Sequence, residues 1–229
     1  MRILLIALAL ASLPRAARAH DFWLERSGDG YVLRHGHRGG ETLPIDAAKL
    51  RRIRCVESGA AARDVRDAAV LTPTEVKIAA RCAAISAFSD DGYYSLTPDG
   101  EKNLPRNQVP DAVRSWASRQ FAKWVDARSP VARAPVGDEL EIVPVADLAK
   151  AKVGDEIAIR VLFQEKPASG AVVAVGHRPI GETDGDGVTR LRLKNPGVQS
   201  ITASLRRPLG TAEADALVLE ASLTFEVAR

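Results

Sequence analysis

The run Glu156-Ile157-Ala158-Ile159-Arg160-Val161 repeats with a period of two. On an extended chain Ile157, Ile159 and Val161 leave one face while Glu156, Ala158 and Arg160 leave the other. Leu140-Glu141-Ile142-Val143 precedes it. Ala171-Val172-Val173-Ala174-Val175, Val188-Thr189-Arg190-Leu191-Arg192-Leu193, Ser200-Ile201-Thr202-Ala203-Ser204 and Leu223-Thr224-Phe225-Glu226-Val227 follow it. Turn residues separate these runs at short intervals, the mark of a β-sandwich.

Towards the N-terminus the same pattern returns in His20-Asp21-Phe22-Trp23-Leu24-Glu25, Tyr31-Val32-Leu33-Arg34-His35, Val76-Lys77-Ile78-Ala79, Ala84-Ile85-Ser86-Ala87-Phe88 and Gly92-Tyr93-Tyr94-Ser95. One segment departs from it. Val113, Trp116, Ala117, Phe121, Trp124 and Val125 fall at helical spacing behind Pro110 and Asp111, with Arg114, Arg119, Lys123 and Arg128 on the other side. This spacing predicts an amphipathic helix that packs its two tryptophans on a sheet. Ser129-Pro130 and Ala134-Pro135 then break the chain. The expected fold is mainly β: a β-rich unit over 20–130 ending in the helix, and a β-sandwich over 131–229, each Ig-like or prealbumin-like.

Residues 1–19 read as a signal peptide. Arg2 precedes an apolar run from Ile3 to Leu13, and Ala17-Arg18-Ala19 supplies small residues at −3 and −1 of a cleavage site. The run is too short for a bilayer, which takes roughly 20 residues. The expectation is export to the periplasm with no membrane anchor. Loss of Arg2, Arg15 and Arg18 lowers the 32 basic residues to 29, equal to the 29 acidic ones. Nucleic-acid binding needs a concentrated basic excess, so that class is set aside. Aromatics at 5% are few for a carbohydrate-binding surface. In an exported protein the two cysteines, Cys55 and Cys82, are expected to form a disulfide worth about 3 kcal/mol.

Cleavage after Ala19 would make His20 the first residue, able to grip a metal through both its α-amine and its ring. His35-Gly36-His37 places two more rings on one face of a strand. If Gly28-Asp29 are the two central residues of a hairpin turn, His37 lies across from His20 and His35 across from Phe22. Facing Cβ atoms are ~5 Å apart, so all three rings share a face; a slip of one residue would separate them. Nitrogen donors favour nickel, cobalt, copper or zinc over magnesium or calcium. His177 adds a fourth ring if the second unit folds against the first, and otherwise occupies a surface turn. Asp184-Gly185-Asp186-Gly187 lacks the ligands of a calcium loop and reads as an Asp-Gly hairpin turn. There is no Gly-x-Ser-x-Gly, no His-Glu-x-x-His, no Walker loop and no dinucleotide fingerprint, so nothing supports a hydrolase; the expectation is a non-enzyme unless a bound metal supplies the chemistry.

The start His20-Asp21-Phe22-Trp23-Leu24-Glu25, the segment Gly92-Tyr93-Tyr94-Ser95-Leu96-Thr97-Pro98-Asp99-Gly100 and Ser115-Trp116 resemble a family of exported bacterial proteins whose shared domain has no assigned function. Members of that family are associated with nickel and cobalt uptake. Pro135 through Pro144, Lys166 through Ala171 and Thr183 through Gly187 extend the resemblance over most of the chain. It implies a periplasmic β-sandwich protein that handles Ni²⁺ or Co²⁺ for a transporter in the membrane, with His20 and the His-Gly-His pair as carried-over ligands; the nitrogen donors would accept Cu²⁺ as well. The competing expectations are a copper oxidase of the polysaccharide-monooxygenase kind, which also uses an N-terminal His, and a metal-free interaction module.

Overall fold

A computed structural model of the chain describes residues 20–227; the leader expected at 1–19 lies outside them. The chain is mainly β, 55% strand and 6% helical. The first half contributes β1 (Asp21–Ser27), β2 (Gly30–Gly36), β3 (Thr42–Leu43), β4 (Leu50–Val56), β5 (Arg63–Asp64), β6 (Ala69–Leu71), β7 (Glu75–Ile78), β8 (Ala84–Thr97), β9 (Gly100–Lys102) and β10 (Arg114–Val125). The second half contributes β11 (Leu140–Pro144), β12 (Glu156–Phe163), β13 (Lys166–Pro167), β14 (Val172–Val175), β15 (Arg178–Glu182), β16 (Val188–Arg192), β17 (Gly197–Pro208) and β18 (Ala216–Val227).

Three sheets result. β1-β2-β7-β6, with β3 on β2, form a five-stranded sheet, and β11-β12-β13, with β16 on β12, form a four-stranded one. The nine-stranded sheet runs β15-β14-β17-β18-β10-β8-β4-β5, with β9 on β8. It passes through the boundary expected near residue 130, where the chain makes a short 3₁₀ turn at Pro130–Arg133. Its two halves meet where β10 runs parallel to β18.

The helix expected over 113–125 is absent; that segment is β10, paired antiparallel with β8. β10 lies between two cores. Phe121 and Val125 enter the core built mainly from the second half, while Ala122 and Trp124 enter the first-half core with Leu24, Leu33 and Ile53. Apolar residues are therefore needed on both faces of one strand, which imitates a helical period in the sequence.

The halves are also tied by charge. Lys123 Nζ lies 2.7 Å from Glu141 Oε1, with side chains 3% and 2% exposed. Glu141 further accepts the amides of Val136, Gly137 and Asp138 at 2.8, 3.0 and 3.3 Å. Arg52 pairs with Asp138 at 2.8 Å. Burial, reinforced by Glu141, raises the Asp138 carboxyl above its ordinary range, and Arg52 opposes that rise. Cys55 and Cys82 form the expected disulfide.

The Asp184–Gly187 segment turns as expected, Asp184 Oδ1 accepting the amides of Asp186 and Val188 at 3.0 and 2.8 Å. It does not close a hairpin, because β15 and β16 belong to different sheets.

Candidate metal centre

The β1–β2 hairpin has the register that a two-residue turn at Gly28-Asp29 dictates. Ser27 pairs with Gly30, Phe22 with His35 and Asp21 with Gly36. Gly28 has φ +56°, as the first central position of a type II′ turn requires. His20 and His37 lie one step beyond the last pair. Gly36, between the two histidines, has φ +129°, and a Cβ there would strike the backbone of Glu41 and Thr42. His37 is held by its amide to the Glu41 carbonyl at 2.8 Å, and its own carbonyl accepts the Gly40 amide at 2.9 Å.

The three rings gather at the open end of this ribbon. His20 lies 5.5 Å from His35 and 5.0 Å from His37, centroid to centroid. His177 arrives from the other half, in the two-residue turn between Val175 and Arg178 where Gly176 has φ +59°. It is exposed in a surface turn, and its ring lies 6.0 Å from that of His37. The rings thus form a chain, His35–His20–His37–His177. Two imidazoles on one ion, with metal–nitrogen bonds of about 2.1 Å, place their centroids roughly 5 Å apart. Among the described residues no three His, Cys, Asp or Glu side chains already stand in a metal-holding arrangement.

The donor chemistry suits a metal in two respects. His37 Nδ1 is buried without a hydrogen-bond partner, a condition that a coordinate bond would relieve. Burial lowers the pKa of His35, which favours the neutral, ligating imidazole, although its hydrogen bond to the Pro44 carbonyl opposes that shift.

Two cavities flank His20. One of about 410 Å³ is lined by His20, His35, Lys49, Asp91, Tyr94 and Glu220, among others. One of about 430 Å³ is lined by His20, His177 and, again, Glu220. Tyr94 stacks on Trp116 at 5.7 Å in the wall of the first. Burial, with Asp21 and Asp91 adding to it, raises the Glu220 carboxyl to about 7. Burial also raises Asp91, against a hydrogen bond from Ser89.

Sequence reasoning brought the four histidines forward but missed Asp21, Asp91 and Glu220. Glu220 carries a legible signal: it is the one charge within the apolar run Ala216-Leu217-Val218-Leu219-Glu220-Ala221. Asp91 carries none.

A family described as Domain of unknown function (DUF4198) matches residues 17–207. The chain belongs to the DUF4198 family. The match begins ahead of His20 and extends past β14, so it contains all four histidines of the centre. No curated protein matches this DUF4198 chain. Among solved structures it aligns with the N-terminal four Ig domains of Dscam1 isoform 9.44 at a TM-score of 0.23 and 12% identity, over 87% of its length. It spans 54% of that structure.

Proposed function

We propose that this DUF4198 protein is an exported, periplasmic metal-binding protein that holds Ni²⁺ or Co²⁺ at the His20–His35–His37–His177 cluster and passes it to a membrane transporter. The observation that carries the reading is the convergence of four histidines, the only four in the chain, from both halves of the fold.

Once Ala19 is removed, the His20 α-amine becomes a further nitrogen donor beside its ring. His20 and His37 occupy the middle of the chain of rings and form the primary pair. The cavity beside His20 and His35 carries Asp46, Asp91, Glu101 and, once it ionises, Glu220 against Lys49, a balance that complements a cation. Export rests on the 1–19 leader and agrees with a disulfide, a bond of oxidising compartments. Copper would bind the same nitrogens more tightly in vitro, by the general order of divalent metals. The role is carriage, not catalysis.

The test is calorimetric titration of protein beginning at His20 with Ni²⁺, Co²⁺, Cu²⁺ and Zn²⁺. One-to-one binding that weakens when a residue precedes His20 is the expected result. No binding to any of the four overturns the reading.

A further inference from the structure

We infer that Asp21 is the positioning residue for His177: its carboxylate holds the Nε2 side of the ring and leaves Nδ1 as the lone-pair nitrogen that joins His37 on the metal. The inference rests on the metal-handling reading and adds to it how a ligand from one half is oriented by a residue of the other.

Asp21 Oδ2 lies 3.5 Å from His177 Nε2. The same oxygen accepts the amide of Arg38 at 3.3 Å, so the carboxylate is anchored independently of the imidazole. Its backbone is fixed as well, since Asp21 opens the β1 ladder opposite Gly36. The Asp21 side chain is 18% exposed and that of His177 46%.

A neutral imidazole carries its proton on one nitrogen and a lone pair on the other, and the hydrogen bond made by the first decides which nitrogen can ligate. Metal-binding histidines almost always give the second N–H to a carboxylate or a carbonyl. For His177 the carboxylate within reach is Asp21, on the Nε2 side of the ring. The contact at 3.5 Å is long for a hydrogen bond; loading of His37 and His177 onto one ion would draw it tighter.

The experiment uses ¹⁵N-labelled protein beginning at His20. In the metal-free state, long-range ¹H–¹⁵N spectra should show His177 protonated on Nε2. Asp21→Ala should give mixed tautomers, and Asp21→Asn, which keeps an acceptor oxygen, should restore the wild-type form. With Cu²⁺ as the probe, pulsed EPR should count one fewer bound imidazole in Asp21→Ala and in His177→Ala than in the wild type. Affinity should fall about 10- to 100-fold in each, and the double variant should be no weaker than either single one. A wild-type ring protonated on Nδ1, an unchanged imidazole count in Asp21→Ala, or additive losses would overturn the assignment. Failure of the wild type to bind any metal would remove the metal-handling reading itself. The metal-free tautomer reports the Asp21–His177 pairing separately from that outcome.

Discussion

The ring of His20 stands 5.0 Å from the ring of His37, one residue beyond the Asp21–Gly36 pair that ends the β1–β2 ladder. The hairpin turn at Gly28-Asp29 sets that relationship from the far end of the ribbon. Each residue between the turn and the site pairs in step, so the local conformation of two turn residues positions two candidate ligands.

His37→Ala is expected to weaken Ni²⁺ or Co²⁺ binding more than His177→Ala, because His37 sits between two rings and His177 has only one neighbouring ring. Losses on the order of tenfold or more are expected for His37→Ala. An alanine placed before His20 should weaken binding as well by removing the free α-amine. Calorimetry on the three proteins checks the order. A larger loss in His177→Ala would move the centre of the site toward the second half.

Glu220 makes metal-free stability depend on pH. Its folded pKa of about 7 stands above the ordinary value of 4.5, chiefly through burial. Between these values the native state holds a proton that the unfolded chain releases, so stability falls as pH rises through that window. The cost is absent below the lower value, is complete above the upper one, and amounts to about 3 kcal/mol. Glu220→Gln should flatten this slope and raise stability near pH 8, read by urea unfolding at about pH 5 and about pH 8. An unchanged slope would place the titration elsewhere.

Lys123→Met should destabilise the fold by about 3 kcal/mol, since it strips a buried carboxylate of its cation. The three amides that Glu141 accepts would remain. A loss below about 1 kcal/mol by denaturant unfolding would mean that these amides alone satisfy it.

Reduction of Cys55–Cys82, or Cys82→Ser, should lower stability by about 3 kcal/mol through release of a loop of 27 residues. Cys55 is fully buried in the first-half core, so Cys55→Ser adds a buried hydroxyl and should cost more. Thermal unfolding with and without reductant separates the two effects.

Much of the fold was legible because strands with one buried face alternate. Ile157, Ile159 and Val161 are buried, whereas Glu156 and Arg160 are exposed. The same rule failed at β10. Trp124 packs with the first-half core and Phe121 with the second-half core, so the strand has no polar face to mark its period. Of the site, His20, His35 and His37 could be placed together from the hairpin alone. Asp21 read as an ordinary strand residue, and its role depends on a histidine far along the chain.

By itself the sequence determined the mainly β character, offered Cys55–Cys82 as its one possible intrachain pairing, and, once a two-residue turn is set at Gly28-Asp29, dictated the β1–β2 register. Each follows from neighbours in the chain, from a turn that only glycine enters easily, or from there being just two cysteines. Only the tertiary structure decided that β10 lies parallel to β18 and that the Gly176-His177 turn comes to rest beside His37 and Asp21. Those contacts join residues more than 90 positions apart, and β10 is held between the halves by burial of Phe121 and Trp124 in two cores and by the Lys123–Glu141 pair. No local period encodes which distant surface will cover an apolar face; the packing of the whole molecule selects it.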